Sequence, residues 1–330
     1  MRTELRSALH GAPSSPEEDT KKIPVQKFHI DPPEVHKNTL IFGGDVMLSR
    51  YVDVLMEKNN DYTAPFQDIA EYLSSADITF VNLESPFDRA PQHFSGGMVF
   101  GADVKSIEGL LFAGIDIVSL ANNHIGDAGK EGVLYTMDML KENDIRFVGA
   151  GENSESSLEP TFLVANDVVF GFLAYSDISP YYAATEEKPG YAMIPDADLL
   201  RERIQRTKEI ADVVIVSVHT GSEYISRPHK DFVEFAHNAI DAGASLVIGH
   251  HPHVIQPVEE YNGGIVFYSL GNLVFDQLLS ETKKGILAEV RFEDAKITGY
   301  EIKPIVIEKL WKPRFADDEE RDEILKKTTW

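Results

Sequence analysis

The sequence predicts an α/β fold with polar, metal-binding chemistry gathered at its strand ends. Three observations carry that expectation: short β-branched runs alternate with amphipathic helical stretches, the runs are apolar almost throughout, and a polar cluster follows nearly every one. The runs lie at 39–42, 78–81, 115–120, 168–173, 213–218, 246–248 and 265–268. Their continuous apolar character suits strands covered on both faces. The clearest helix opens at Pro228, a favourable first-turn residue, and closes before Gly243. Phe232, Phe235, Ala236, Ala239 and Ile240 form one apolar face along it. A second helix carries Val133, Leu134, Met137 and Leu140 and stops near Asn143. Residues 285–307 read as a closing antiparallel hairpin that turns near Glu293-Asp294.

The ends of the chain read differently. Residues 1–37 are polar, Pro-rich and without period, so they are expected to be a flexible leader before a single domain at 38–311. Residues 312–330 are expected to be a charged tail on the surface. The N-terminus lacks the apolar core of a signal peptide, and no run of 18 or more apolar residues spans a membrane.

Composition narrows the chemistry. With 43% hydrophobic and 26% charged residues among 330, the chain has the make-up of an ordinary globular protein. Its formal net charge of -23 repels nucleic acid and anionic polymers at long range, which argues against a nucleic-acid partner. There is no cysteine, so any metal must be held by His, Asp, Glu or Asn, and hard or borderline divalent cations are expected.

The polar clusters that follow the runs are Gly43-Gly44-Asp45, Asn82-Leu83-Glu84, Asn122-Asn123-His124, His219-Thr220-Gly221, His250-His251-Pro252-His253 and Gly271-Asn272. Open α/β sheets place their ligand sites at carboxyl ends of strands, so the clusters are expected to converge. A lone loop histidine is usually structural, but two imidazoles one residue apart, at His251 and His253, can take adjacent places around an ion. Asp45 and Glu84 add hard anionic donors, Asn123 a carbonyl oxygen and His219 another imidazole. Together they suit Mn, Zn, Fe or Mg. Two carboxylates against two divalent ions would leave a site that attracts an anion inside an acidic protein. Lewis acidity would also lower the pKa of water there to about 7, and His124 is placed to move a proton. Asp127, Glu223 and Asp276 read equally as pocket supports or as caps and turns. His29, His36, His93, His229 and His237 fall outside the clusters and read as loop or helix-surface residues.

Calcineurin-like phosphoesterases carry D-x-H, G-D, G-N-H, a lone His and G-H-x-H in that order, each after a strand. Here Asp45-Val46-Met47, Asn82-Leu83-Glu84, Asn122-Asn123-His124, His219 and His250-His251-Pro252-His253 follow one another likewise. The versions present, GGDVMLSR, VNLESPF, SLANNHIGDAG, FVGAGEN, HTGSEY, IGHHPHVIQPVE and YSLGNLVFDQ, resemble the poly-γ-glutamate capsule synthesis protein (CapA) family from about Thr39 to Gln277. The resemblance implies a four-layer αββα sandwich. It implies Asp45, Glu84 and His253 at one metal ion, and Glu84, Asn123, His219 and His251 at a second. His124 takes the place of the imidazole that protonates the leaving group. Asn122, Asp127, Glu223, His250, Asn272 and Asp276 are left as supports or pocket lining, with His250 an alternative ligand. Three departures matter: Met47 stands where a ligand histidine is usual, Glu84 replaces an Asp, and Thr220 stands where many relatives have Trp. The resemblance further implies an anionic substrate or poly-γ-glutamate, a membrane synthase complex as partner, and a place in the cell envelope. The function it points to is a metal-dependent phosphoesterase-type hydrolase in poly-γ-glutamate synthesis or export. The alternative is a non-catalytic, metal-dependent accessory factor that binds the polymer.

Overall fold

A computed structural model describes residues 35–91 and 97–330. Most of the expected leader, with His29, and also His93, lies outside the described residues.

The first part of the chain runs through β1 (Lys37–Val46), α1 (Arg50–Asn59), β2 (Ile78–Leu83), β3 (Ile117–Ser119), α2 (Gly129–Glu142) and β4 (Arg146–Val148). Next come β5 (Thr161–Ala165), β6 (Val168–Ser176), α3 (Ala197–Lys208), β7 (Val213–His219), α4 (Lys230–Ala242), β8 (Leu246–His250), β9 (Val258–Tyr261) and β10 (Gly264–Phe267). The chain closes with β11 (Asn272–Val274), β12 (Lys284–Glu293), β13 (Lys296–Glu308), β14 (Lys312–Phe315) and α5 (Asp318–Leu325). One sheet has eight strands in the order β14-β13-β12-β1-β2-β3-β4, with β11 also beside β1. The other has six in the order β9-β10-β8-β7-β6-β5. The strands that end in the polar clusters, β1, β2, β3, β7 and β8, pair in parallel within their sheets. Their carboxyl ends therefore leave each sheet on one side.

The sheets lie face to face, as the αββα expectation requires. Phe80 of β2 stacks on Phe172 of β6 with ring centroids 5.9 Å apart. Phe170 meets Phe292 edge-on at 5.4 Å, and Phe267 meets Tyr300 at 5.7 Å. Each of the phenylalanine rings, fully buried, contributes about 1.5–3 kcal/mol over leaving it in water. A second core forms where α3 and α4 cover the six-stranded sheet with Leu200, Ile204, Phe232, Phe235 and Ala239. Helix α4 begins at Lys230, just after the expected Pro228, and its apolar stripe is buried as expected. Gly243, at φ 113°, ends it in the left-handed conformation that glycine adopts without strain. The hairpin also forms as expected, between β12 and β13.

Both expected termini of the domain need correction. Residues 312–330 are not a surface tail. Strand β14 pairs antiparallel with β13, Asp317 and Glu320 form a reciprocal capping box at the start of α5, and Ile324 is fully buried. The charges of α5 face outward and hide its single anchoring side chain from a composition-based reading. At the other end, ordered pairing begins before residue 38. Lys37 pairs with Glu293, the His36 amide donates to Asp294 Oδ1 at 3.0 Å, and the Asp294 amide donates to the His36 carbonyl at 2.7 Å.

Candidate metal centre

The site begins with a close approach of two backbones. A Cβ on Gly44 would lie 1.9 Å from the Gly271 carbonyl oxygen, so only glycine fits there. That approach lets the Asp45 amide donate to the Gly271 carbonyl at 3.1 Å and sets the Asp45 side chain at the mouth of β1. From β2, Asn82 projects beside it and donates to Asp45 Oδ1 at 2.8 Å and to Glu84 Oε2 at 3.3 Å. Asn122, after β3, donates to Asn82 Oδ1 at 3.1 Å and to the Leu83 carbonyl at 2.9 Å, while its own oxygen accepts from the His124 amide.

The second sheet supplies the imidazoles. His219, the last residue of β7, places Nε2 2.7 Å from Asn123 Oδ1 and 3.2 Å from His251 Nδ1. His253 Nδ1 lies 2.9 Å from Asn272 Oδ1 and 3.2 Å from Asp45 Oδ2, and its Nε2 lies 3.6 Å from Glu84 Oε1. His251 and His253 both have left-handed backbones, at φ 96° and 56°. Such residues store about 1–3 kcal/mol each and persist where surrounding structure over-determines them, commonly at functional sites.

Electrostatically the site is a dry pair of carboxylates with unequal fates. Burial pushes Glu84 well above the usual carboxylate range, reinforced by the charges of Asp45 and then Glu223. Burial also pushes Asp45 upward, but His250 and His253 outweigh it and hold its carboxyl well below the usual range. Burial, then the neighbouring His251, depresses His219 well below an ordinary imidazole, and burial with His253 lowers His251 to about 4. Both are neutral at pH 7, the form with a lone pair to give a cation.

The residues present fit a divalent cation. Asp45, Glu84 and His219, all buried, bring ligand atoms within 4.8 Å of one another. Ligands bound about 2.1 Å from one ion sit about 3.0–3.4 Å from each other, and the spacings around His219 Nε2 are close to that. Among the described residues Glu84 Oε1 has no hydrogen-bond partner, a buried orphan that a cation would satisfy.

The remaining expected residues take different places. His124 Nε2 lies 3.9 Å from Glu84 Oε1, and its Nδ1 lies 2.7 Å from Asp127 Oδ2, which also accepts from the Phe100 amide. Asn272 braces His253 and donates to Gln277 Oε1 and the Thr282 carbonyl. The His250 ring is fully buried, tilted against Phe80, with Nδ1 3.3 Å from Asp45 Oδ1 but without hydrogen-bond alignment. Glu223 is half-buried and acts on Glu84 and His251 through its charge. Asp276 pairs with Arg50 and accepts from the Tyr51 amide. Met47 is fully buried with its sulfur 3.2 Å from the Ser49 amide.

Three contributors carry little or no signal in the sequence. Asn82, the hub between Asp45 and Glu84, sits inside its cluster but is overshadowed there by the carboxylate. Arg50 is one residue of GGDVMLSR with nothing local to mark it. Its guanidinium sits 4.6 Å over the Phe100 ring, and that ring stacks on His124 at 3.7 Å. Phe100 has no sequence signal.

Face-to-face mixed sheets with a buried carboxylate–imidazole cluster at the strand ends define a calcineurin-like phosphoesterase fold. A hypothetical protein from Thermus thermophilus shares it at a TM-score of 0.53 and 17% identity, over 81% of this chain and 98% of that one. The Haemophilus influenzae NAD nucleotidase (NadN) does so at 0.50 and 10% identity, over 89% and 62%. Within that class the chain belongs to the bacterial capsule synthesis protein family PGA_cap, which matches residues 39–277. It is 33% identical to the capsule biosynthesis protein CapA of Bacillus anthracis, over 83% of this chain and 69% of that protein. It is 30% identical to the PGA biosynthesis protein CapA of Bacillus subtilis (strain 168), over 81% and 70%. Among the described residues no helix is long and apolar enough to cross a membrane.

Proposed function

We propose that this protein is a metal-dependent, phosphoester-type hydrolase acting in the synthesis or export of poly-γ-glutamate capsule. The observation that carries the hydrolytic reading is His124. A site that only bound anions would have no need of an imidazole with Nδ1 braced by a carboxylate at 2.7 Å and Nε2 directed at the donor set. Asp45, Glu84 and His253 would hold one ion, and Glu84, Asn123, His219 and His251 another. The ions would supply Lewis acidity, neutralise an anionic substrate and lower the pKa of water. The chain's own groups do the rest. Asp127 holds Nδ1 of His124 and so orients the ring, which leaves Nε2 to give a proton to the departing oxygen. Phe100, stacked on the ring, fixes its plane and keeps water from one face. The family relationship to proteins named for capsule and PGA biosynthesis supports the biological setting, with a polymer and a membrane synthase complex as partners in the cell envelope.

His124→Ala separates chemistry from binding. Metal content should stay near wild type, because Asn123 rather than His124 is the proposed ligand, while phosphodiester turnover falls by roughly 10²–10⁴-fold. Loss of metal would show that His124 is a ligand. No turnover by wild type with any divalent ion would leave the accessory reading, a metal-dependent polymer-binding factor. Met47 favours that second reading, since its buried sulfur leaves the first ion one ligand short.

A further inference from the structure

Beside the metal centre, behind the His253 loop, lies a pocket of about 310 Å³ walled by Tyr224, Ser226, Arg227, Val254, Ile255, Glu281 and the C-terminal segment. Its chemistry runs against the rest of the molecule. The protein carries a net charge of -23, yet Arg227, Lys326 and Lys327 all line this pocket. Lys327 is engaged by Glu281 and lies 3.8 Å from Glu323. Lys284 is engaged by the same two acids. Arg227 and Lys326 have no carboxylate partner among the described residues. Arg227 reaches only the Thr329 carbonyl at 3.5 Å and the face of Trp330 at 5.9 Å. Three cations thus line the pocket against one carboxylate, Glu281, and the surplus is held partly by a segment that composition alone marks as a charged tail.

The pocket is joined to the metal centre through the residues that separate them. Val254 and Ile255 directly follow His253, so the pocket wall begins within about 7 Å of backbone from that imidazole. Tyr224 lines the pocket while its ring lies 6.4 Å from the His253 ring, and its amide donates to the Pro252 carbonyl at 2.8 Å. An anionic group at the metal centre and a second one in the pocket could therefore belong to one extended molecule.

We infer that the Arg227–Lys326–Lys327 pocket is an anion subsite that binds a carboxylate of a chain-like polyanion whose reacting group lies at the metal centre. This subsite rests on the proposed function for the identity of that centre, and it makes the substrate an extended polyanion that reaches from that centre into the pocket. It also explains how a strongly acidic protein accepts an anionic chain. Long-range repulsion is screened at physiological salt beyond about 8 Å, and the local surplus of positive charge acts inside that distance.

The test uses the full chain loaded with Mn²⁺ and the double variant Arg227→Gln/Lys326→Gln. Both side chains are exposed and carry no ion pair among the described residues, so thermal stability should be unchanged. Poly-γ-glutamate of defined length is titrated by fluorescence anisotropy at low and physiological salt. A small phosphodiester is assayed for turnover in parallel. Affinity for the long chain should fall about tenfold or more, the scale of losing charged hydrogen bonds at a partly exposed site. Metal content and small-substrate turnover should not change, and Lys326→Arg should retain chain affinity. Equal chain affinity in wild type and double variant overturns the subsite, as does failure of the wild type to bind the chain. Absent small-substrate turnover in the wild type would instead overturn the hydrolase reading, and a tenfold loss of chain affinity would still stand.

Discussion

At the scale of single residues, Glu84 concentrates the chemistry. It is the carboxylate that burial and Asp45 drive toward the neutral form, and its Oε1 finds no hydrogen-bond donor among the described residues. A buried acid whose folded pKa lies above its unfolded value destabilises the folded state once pH exceeds that unfolded value. Without a cation, then, Glu84 works against folding at pH 7. Glu84→Gln keeps the shape and removes that liability, so the metal-free variant should melt at or above the temperature of the metal-free wild type. Its affinity for Mn²⁺ or Zn²⁺ should fall by at least the 10–100-fold typical of losing even a ligand's support. Parallel melts in chelator and metal titrations check both halves. A variant that binds metal as tightly as wild type would remove Glu84 from the centre.

At the scale of elements, the site depends on β1 pressing against the Gly271-Asn272 turn. Gly44→Ala drives a methyl into a backbone oxygen that no side-chain rotation can move aside. Overpacking of this kind costs about 1–3 kcal/mol, and here the strain displaces Asp45 or Asn272 as well. Urea unfolding should show that loss together with weaker metal binding. Unchanged stability would mean the two strands can part without consequence. The C-terminal helix depends instead on Glu320. Two bonds from Arg314, at 2.7 and 3.0 Å, and the Asp317 amide lower its carboxyl to about 2. A depressed acid contributes stability fully above its unfolded pKa of about 4.5 and loses it as pH falls toward 2. Protection of the amides across residues 312–330, relative to their intrinsic exchange rates at each pH, should therefore fall over that window, and Glu320→Gln should abolish most of that fall. Protection factors independent of pH between 5 and 2 would count against the capping box as the anchor.

At the scale of the whole molecule, the two sheets meet at the candidate metal centre. Asp45 and Glu84 come from one sheet and its loops, and His219, His251 and His253 from the other. A cation bound across that seam ties the sheets together only in the folded state. Ion at 100 times its dissociation constant should stabilise by about 2.7 kcal/mol. For a domain of this size that is a rise in Tm of roughly 5 °C. Scanning calorimetry with saturating Mn²⁺ and then excess chelator should show a reversible shift. An unshifted Tm with every divalent ion tested would mean the cluster holds none.

Much of this is written in local pattern. Buried strands announce themselves by continuous β-branched runs, and polar residues directly after such runs have nowhere to go but the strand ends. Asp45, Glu84, Asn123, His124, His219, His251 and His253 can be grouped from the chain alone. Helix α4 and the closing hairpin likewise carry their periodicity and turn residues in the chain itself. What the sequence could not decide were matters of direction and distance. His250 and His251 are the same residue type at adjacent positions. Only the left-handed turn at His251 sends its ring to His219 and leaves His250 against Phe80. Phe100 reaches His124, Arg50 reaches Asp276, and the cationic pocket forms by contacts across many residues that no local periodicity encodes. The C-terminal segment escapes local pattern for the same reason: its charges are plain in the composition, but its hold on the fold rests on one buried isoleucine, a capping box and a strand edge supplied by β13.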